Sequence, residues 1–163
     1  MNTTKKIVVV LTVMMVAAAM AAPAAMGANP TYEATVLPGQ NTVVTVLNQT
    51  FGSGNTGDTL NISDSLNLSN TGNADANVAA NITAHVGDVY GLKSDWDDII
   101  PGDNLKLGKT GSLMTLNKVV GSVQLGGPNK VPANGYLRYD AQLNIPAGQN
   151  ATAYRGTVEI ILS

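Results

Sequence analysis

The sequence has no cysteine, one histidine, one tryptophan and one phenylalanine, and only 12% of its 163 residues are charged. Each shortage excludes something. Without cysteine there is no disulfide framework, no thiolate metal site and no thiol nucleophile, so stability has to come from packing and backbone pairing. With His85 as the sole imidazole, a histidine-rich metal set is ruled out, and no Gly-x-Ser-x-Gly element marks a nucleophilic serine. The nine Lys and Arg against eleven Asp and Glu give a net charge of −2 and form no basic cluster. Nucleic acid and anionic membrane both require clustered cations, so neither is an expected partner. These shortages together lead us to expect a protein that is not an enzyme.

What is present begins with a leader. Lys5 and Lys6 precede an almost unbroken apolar run from Ile7 to Ala22, followed by small residues through Ala25-Met26-Gly27-Ala28. A basic head, an apolar middle and a small-residue exit make a secretory signal peptide. Residues 1–28 are therefore expected to be removed, after Gly27 or Ala28, leaving residues 29–163 as one domain. The competing reading is a retained anchor, for which about 20 apolar residues are needed; Ile7 to Met26 barely reaches that length, with Pro23 near its end. Export implies a secreted, cell-surface location, with no membrane attachment once the leader is cut. Both leader lysines leave with it, so seven basic residues face eleven acidic ones and the net charge falls to −4.

The stretch from Leu66 to His85 organises the rest. Ala74, Ala76, Val78, Ala80, Ile82 and Ala84 occupy even positions, whereas Asn73, Asp75, Asn77, Asn81, Thr83 and His85 occupy odd ones, with Ala79 the exception. A strand turns successive side chains to opposite faces, so this alternation predicts one apolar and one polar face. A helical period of 3.6 would scatter the asparagines round the cylinder. The reading is a strand, a tight turn at Asn70-Thr71-Gly72, and a longer second strand. Upstream, Leu60 and Ile62 keep the parity of Leu66 and Leu68 across Ser63-Asp64-Ser65, which predicts one long strand with a bulge at Asp64.

Further strands are expected at Tyr32–Leu37, Thr42–Leu47, Leu105–Leu107, Leu113–Leu116, Val119–Leu125, Leu137–Ile145 and Tyr154–Leu162. Pro38-Gly39 and Pro146-Ala147-Gly148 punctuate them. Lys93–Asn104 reads as a loop or a single helical turn, with Ser94 and Asp97 spaced as a capping pair. Many short strands with frequent turn signals point to an all-β fold, an antiparallel β-sandwich of Ig-like or jelly-roll-like type, with a small barrel as the alternative.

Asp95, Asp97, Asp98 and Asp103, with Asp88 nearby, form the one carboxylate cluster. They supply calcium's ligand type without the spacing of an EF-hand loop, so calcium is the only cofactor to weigh, against a solvated acidic loop. Trp96 stands among them as a possible sugar contact, and the 88–104 loop is the natural place for a binding module to meet carbohydrate or a surface partner. Asn48, Asn61, Asn67, Asn81 and Asn150 each begin an Asn-x-Ser/Thr acceptor, open to N-glycosylation in an exported chain. Asn61, Asn67 and Asn81 share the polar parity of the central strands, which would put several glycans on one sheet face.

The Asn-Thr-Gly-Asn turn between alternating arms at Leu66–Ile82 resembles a turn of exported Ig-like sandwiches of archaeal and bacterial surfaces. So does the ending from Val131-Pro132 through Ile145-Pro146-Ala147-Gly148 to Tyr154-Arg155-Gly156-Thr157-Val158. Together these two hairpins, about a third of the chain, resemble the camelysin/TasA-type matrix fibre proteins and the archaeal bundling-pilus subunits. The resemblance implies a structural surface subunit that assembles with copies of itself into a filament, a sheath or an S-layer-associated array. It also implies a donor strand lent to the neighbouring subunit, here Thr31, Tyr32, Glu33, Ala34, Thr35, Val36 and Leu37. The same segment could instead pair within its own domain.

Overall fold

The computed structural model describes residues 7–11, 34–36, 42–48, 50–119 and 122–163, the first two segments by their backbone. The cleavage region and Thr31, Tyr32, Glu33 and Leu37 of the candidate donor strand lie outside the described residues. Three antiparallel sheets hold the strands of the described residues. The first orders its strands β11 (Ser122–Gln124), β5 (Val78–Ile82), β14 (Val158–Leu162), β1 (Ile7–Leu11) and β2 (Ala34–Val36). The second runs β10 (Met114–Thr115), β9 (Leu105–Lys109), β12 (Gly135–Asn144), β4 (Thr59–Asn70) and β3 (Thr42–Val46). The small third sheet holds β13 (Tyr154–Arg155), β7 (Val89–Ser94), β6 (His85–Val86) and β8 (Ile99–Pro101).

The inner faces of the first two sheets share one core. Val78, Ala80, Ile82, Val158, Ile160 and Leu162 from the first belong to the same buried cluster as Leu66, Leu68, Leu105, Leu107, Tyr139 and Leu143 from the second. This is the all-β sandwich that the alternation predicts. Ala80 leaves the middle of the β5 face shallow between Val78 and Ile82, and the second sheet brings large side chains to the shared core.

The longest pairing joins β4 to β12, and the bulge expected at Asp64 is there. Leu66 stands opposite Tyr139 and Ile62 opposite Ala141, so Ser63, Asp64 and Ser65 face Asp140 alone. Two extra residues preserve parity, which keeps Ile62 and Leu66 buried on one face. Asp64 takes a left-handed φ of 52°. Both of its ends are held by β12: its N–H donates to Asp140 Oδ1 at 2.9 Å, and its Oδ2 accepts from Arg138 Nη1 at 2.8 Å. Ser65, fully buried, accepts the N–H groups of Leu47 and Asn48 on its carbonyl and donates its hydroxyl to Asn48 O.

Two expectations need correcting. The arms flanking Asn70-Thr71-Gly72 are not a hairpin, because β4 lies in the second sheet and β5 in the first. Asn70 makes the crossing possible: its Nδ2 donates to Ala74 O and Val131 O, and its Oδ1 accepts from Gly72 N. The final strand is likewise two. β13 pairs with β7 in the third sheet, and β14 joins the first. Gly156, between them, runs so close to Leu92 and the carbonyl of Gly91 that a Cβ would lie 2.7 Å from Leu92 Cδ2. A glycine here leaves room for the close approach at which the chain changes sheets.

One buried polar side chain replaces an apolar layer at the β9–β12 end of the core. Asn129, 1% exposed, accepts the N–H of Lys109 at 2.7 Å and donates to Ser112 O at 3.1 Å and Leu125 O at 2.8 Å. Its own carbonyl accepts the hydroxyl of the fully buried Tyr139. Asn129→Ala leaves a backbone donor and two carbonyls without this partner in a dry site. It is expected to lower the unfolding free energy by about 3 kcal/mol. A urea melt with unchanged slope and a lower midpoint checks this.

Candidate functional site

The sequence-predicted candidates fall in three places: the sheet edge built by the N-terminal segments, the acidic hairpin, and the acceptor asparagines. Comparison with protein families, curated proteins and solved structures finds no match to this chain. Its own geometry therefore carries the functional argument.

At the sheet edge, β14 has β5 on one side and β1 on the other. Ile7 stands opposite Leu162, Val8 opposite Ile161 and Val9 opposite Ile160. β1 in turn pairs with β2, Val9 opposite Val36, Val10 opposite Thr35 and Leu11 opposite Ala34. Residues 7–11, the described part of the N-terminal apolar run, thus take a place inside the first sheet. The described part of the candidate donor segment, Ala34–Val36, has β1 as its only strand partner there. On the opposite side, Val158, Ile160 and Leu162 point into the core.

The acidic loop is a hairpin. β7 and β8 pair Leu92 with Ile100 and Lys93 with Ile99, and the turn between them carries Asp95–Asp98. Gly91 makes the pairing close, since a Cβ there would sit 2.1 Å from Ile100 O. Ser94 does not cap a helical turn. Its Oγ accepts from Trp96 N at 3.2 Å and Asp98 N at 3.0 Å, closing the hairpin turn, and the helical turn of this segment, a 3-10 turn, comes later at Gly102–Asn104.

The structure does not gather the four aspartates. Asp95 lies 3.6 Å from Arg155, Asp97 2.5 Å from Lys93 and Asp103 2.7 Å from Lys118. Asp98 turns to Tyr154 at 2.6 Å and Asn150 at 2.9 Å. Among the described residues no group of three acidic or histidine side chains is placed to hold a metal. Trp96 projects from this turn and is 83% exposed. A shallow, open depression lies elsewhere, lined by Lys109, Thr110, Tyr136, Leu137 and Arg138. His85, exposed on β6, has Nδ1 3.0 Å from Gly87 O and its ring 5.4 Å from that of Tyr90.

Asp98 has a structural task that sequence reasoning missed. Partial burial pushes its pKa up. Hydrogen bonds from the Tyr154 hydroxyl, from the Asn150 side chain and from backbone N–H groups outweigh that and hold it below the usual value. Tyr154 is pushed well above the usual phenol range by burial and by the facing Asp98 charge. Its hydroxyl, also in contact with Gln149 Nε2 at 2.8 Å and Asn150 O at 3.0 Å, locks the start of β13 to the hairpin. No spacing rule signals this pairing across 56 residues of chain.

The acceptor asparagines divide by what their side chains do. Asn61 and Asn67 lie on the outer face of the second sheet, whereas Asn81 lies on β5 in the first, so the three do not share one face. Asn81 Nδ2 donates to Glu159 Oε2 at 2.9 Å and Asn150 Nδ2 to Asp98 Oδ2 at 2.9 Å. In both, the atom a glycan would occupy already serves a carboxylate. Asn67 is half-buried and its Oδ1 has no hydrogen-bond partner. Asn48 and Asn61 are exposed and engage their oxygens instead, Asn48 accepting from Thr50 N at 3.1 Å and Asn61 from Gln142 Nε2 at 2.9 Å.

Two outcomes follow from this arrangement. In protein from its native host, intact mass is expected to exceed the bare chain by glycan increments, and Asn48→Gln and Asn61→Gln to remove more of the excess than the same change at Asn81 or Asn150. A mass equal to the bare chain dismisses glycosylation. The lowered Asp98 pKa stabilises the fold above the unfolded value, near pH 4, and the contribution disappears as pH falls through the folded value. Asp98→Asn is therefore expected to lose less stability than the parent between pH 4 and pH 2, read by thermal melts at each pH.

Proposed function

We propose that the chain is an exported structural subunit of the cell surface that assembles with copies of itself, lending its N-terminal segment Thr31–Leu37 to a neighbour. The single observation that carries this reading is the make-up of the first sheet. β14 is flanked on its outer side by the leader strand β1, and β2 is joined to the sheet through β1. Once residues 1–28 are cut away, an inner strand of the sandwich becomes an edge and the segment around β2 loses its strand partner. An open edge offers unpaired N–H and C=O groups, and a strand supplied from another copy satisfies them. Such a head-to-tail contact does not close on itself, so it propagates.

The surface supports the same reading. With few charges and many Asn, Thr, Ser and Gly, copies repel each other weakly. The outer face of the second sheet is laced by neutral contacts such as Thr59 with Asn144 and Gln142 with Asn61. The resemblance of the Leu66–Ile82 and Val131–Val158 stretches to TasA-type fibre proteins and archaeal bundling-pilus subunits points the same way, to a filament, a sheath or an S-layer-associated array. No catalytic role, cofactor or resident metal belongs to this proposal.

A second reading rests on Trp96. An indole 83% exposed on a hairpin tip, between Asp95 and Asp97, suits a binding module that meets carbohydrate or a surface protein through residues 88–104. Negative-stain electron microscopy of the processed protein separates the two, because only the first expects regular polymers. Deleting residues 29–37 is expected to leave a folded monomer that forms none. Unaltered filaments from that variant refute strand lending.

A further inference from the structure

We propose that the notch in the second sheet where β9 parts from β12 is a binding site for an acidic saccharide, a sugar unit that carries a carboxylate. The site is separate from the hairpin tip at Trp96, and it stands whether or not copies of the chain assemble.

Backbone pairing creates the notch. β9 accompanies β12 from Leu105 opposite Leu143 only as far as Lys109 opposite Tyr139, whereas β4 follows β12 on its other side to Gly135. Among the described residues no strand lies beside Tyr136, Leu137 and Arg138 on the β9 side. In an antiparallel ladder successive residues bond alternately to the neighbour on either side. Ser65 O accepts from Leu47 N and Asn48 N at the end of β3. Asn67 and Ser69 therefore also face β3, and Leu66, Leu68 and Asn70 face β12. Their partners Tyr139, Leu137 and Gly135 bond to β4. The N–H and C=O groups of Tyr136 and Arg138 are turned the other way, into the notch.

Side chains shape the rest of the site. The depression of about 610 Å³ is lined by Lys109 and Thr110 at the departing end of β9 and by Tyr136, Leu137 and Arg138 of β12. Its volume lies within the range of about 300–1,000 Å³ that holds a small ligand. Tyr136 is 67% exposed and shares the outer face with Arg138, two residues on. A phenol ring in that position offers a flat apolar face to the C–H side of a sugar ring and a hydroxyl at its rim.

Charge selects an acidic sugar. The two carboxylates beside the notch are occupied within the protein: Asp64 Oδ2 accepts from Arg138 Nη1 at 2.8 Å, and Asp140 accepts the Thr110 hydroxyl at 2.6 Å and the Asp64 N–H at 2.9 Å. Lys109 enters none of the ion pairs among the described residues. Its ammonium, the further N–H groups of the Arg138 guanidinium and the two backbone N–H groups together form a donor set suited to a carboxylate. Thr110 gives its proton to Asp140, which leaves its oxygen to accept from a sugar hydroxyl. An added peptide strand fits less well, because only Tyr136 and Arg138 turn backbone groups outward before β9 takes up the ladder.

The test is titration of the full-length chain with tetragalacturonate, neutral maltotetraose and tetraglutamate, read by calorimetry and by backbone amide NMR shifts. Tetragalacturonate is expected to bind about tenfold tighter than maltotetraose and to move the amide signals of Thr110, Tyr136 and Arg138. Tyr136→Ala removes the stacking face and is expected to weaken that binding about tenfold. Lys109→Gln is expected to bring the acidic sugar down to the affinity of the neutral one, and Trp96→Ala to change nothing. All three substitutions alter exposed side chains, so melting temperatures are expected to match the parent's. No binding of tetragalacturonate at about 10 mM overturns the proposal. Equal binding of maltotetraose overturns the acidic assignment, and equal binding of tetraglutamate shows a carboxylate site with no preference for sugar, which also refutes it. Binding that survives Tyr136→Ala and is lost in Trp96→Ala moves the site to the hairpin tip. Filament formation is read separately by electron microscopy, so failure here leaves the assembly reading untouched.

Discussion

The backbone pairing of β4 with β12 is the constraint on which the rest of the molecule depends. It is the longest ladder among the described residues, running from Thr59 opposite Asn144 to Asn70 opposite Gly135. The two strands sit together at the centre of the second sheet, with β9 beyond one and β3 beyond the other. Leu66, Leu68, Tyr139 and Leu143 on their inner face are fully buried. The first sheet, whose β5 contributes Val78, Ala80 and Ile82, packs against that row. If the register of this pair slipped by one residue, one of the two strands would turn its apolar row to water and the first sheet would lose half of its counterpart.

The alternation of side chains made much of this architecture legible. A strand with one wet face must write its burial into the sequence at period two, and β4, β5, β12 and β14 do so. The bulge was legible for the same reason, since Ile62 and Leu66 kept parity across polar residues. Which strands share a sheet was not. Parity survives the break at Gly156, because Tyr154, Val158, Ile160 and Leu162 are all buried although β13 and β14 belong to different sheets. Alternation records which way a side chain faces and says nothing about its neighbour across the ladder. The crossing at Asn70 was hidden too, because its amide bonds to Val131, 61 residues away.

The candidate sites were legible in composition and less so in arrangement. Four aspartates within nine residues suggest a common purpose, yet a hairpin with alternating sides sends each to a different partner. Lys93 and Lys118 take two, Arg155 approaches a third, and Tyr154 engages the last. Asn61, Asn67 and Asn81 matched in parity but not in sheet. Asn129 carried no signal at all, since an asparagine in a glycine- and proline-rich connection reads as an exposed turn residue. It becomes a core residue only because Tyr139, Lys109, Ser112 and Leu125 converge on it. Such convergence is a property of tertiary structure, and no local pattern encodes it.

The double residue surplus in β4 bears on how this fold can vary. Ser63, Asp64 and Ser65 face one residue of β12, and the buried leucines on either side keep their orientation because the surplus is even. A chain that gained or lost two residues at this point would inherit the same interior, whereas a change of one would turn half a strand inside out. Length differences here among descendants of the same ancestor should therefore come in pairs, which makes the spot a natural ratchet for divergence on the outer face while the interior stays untouched.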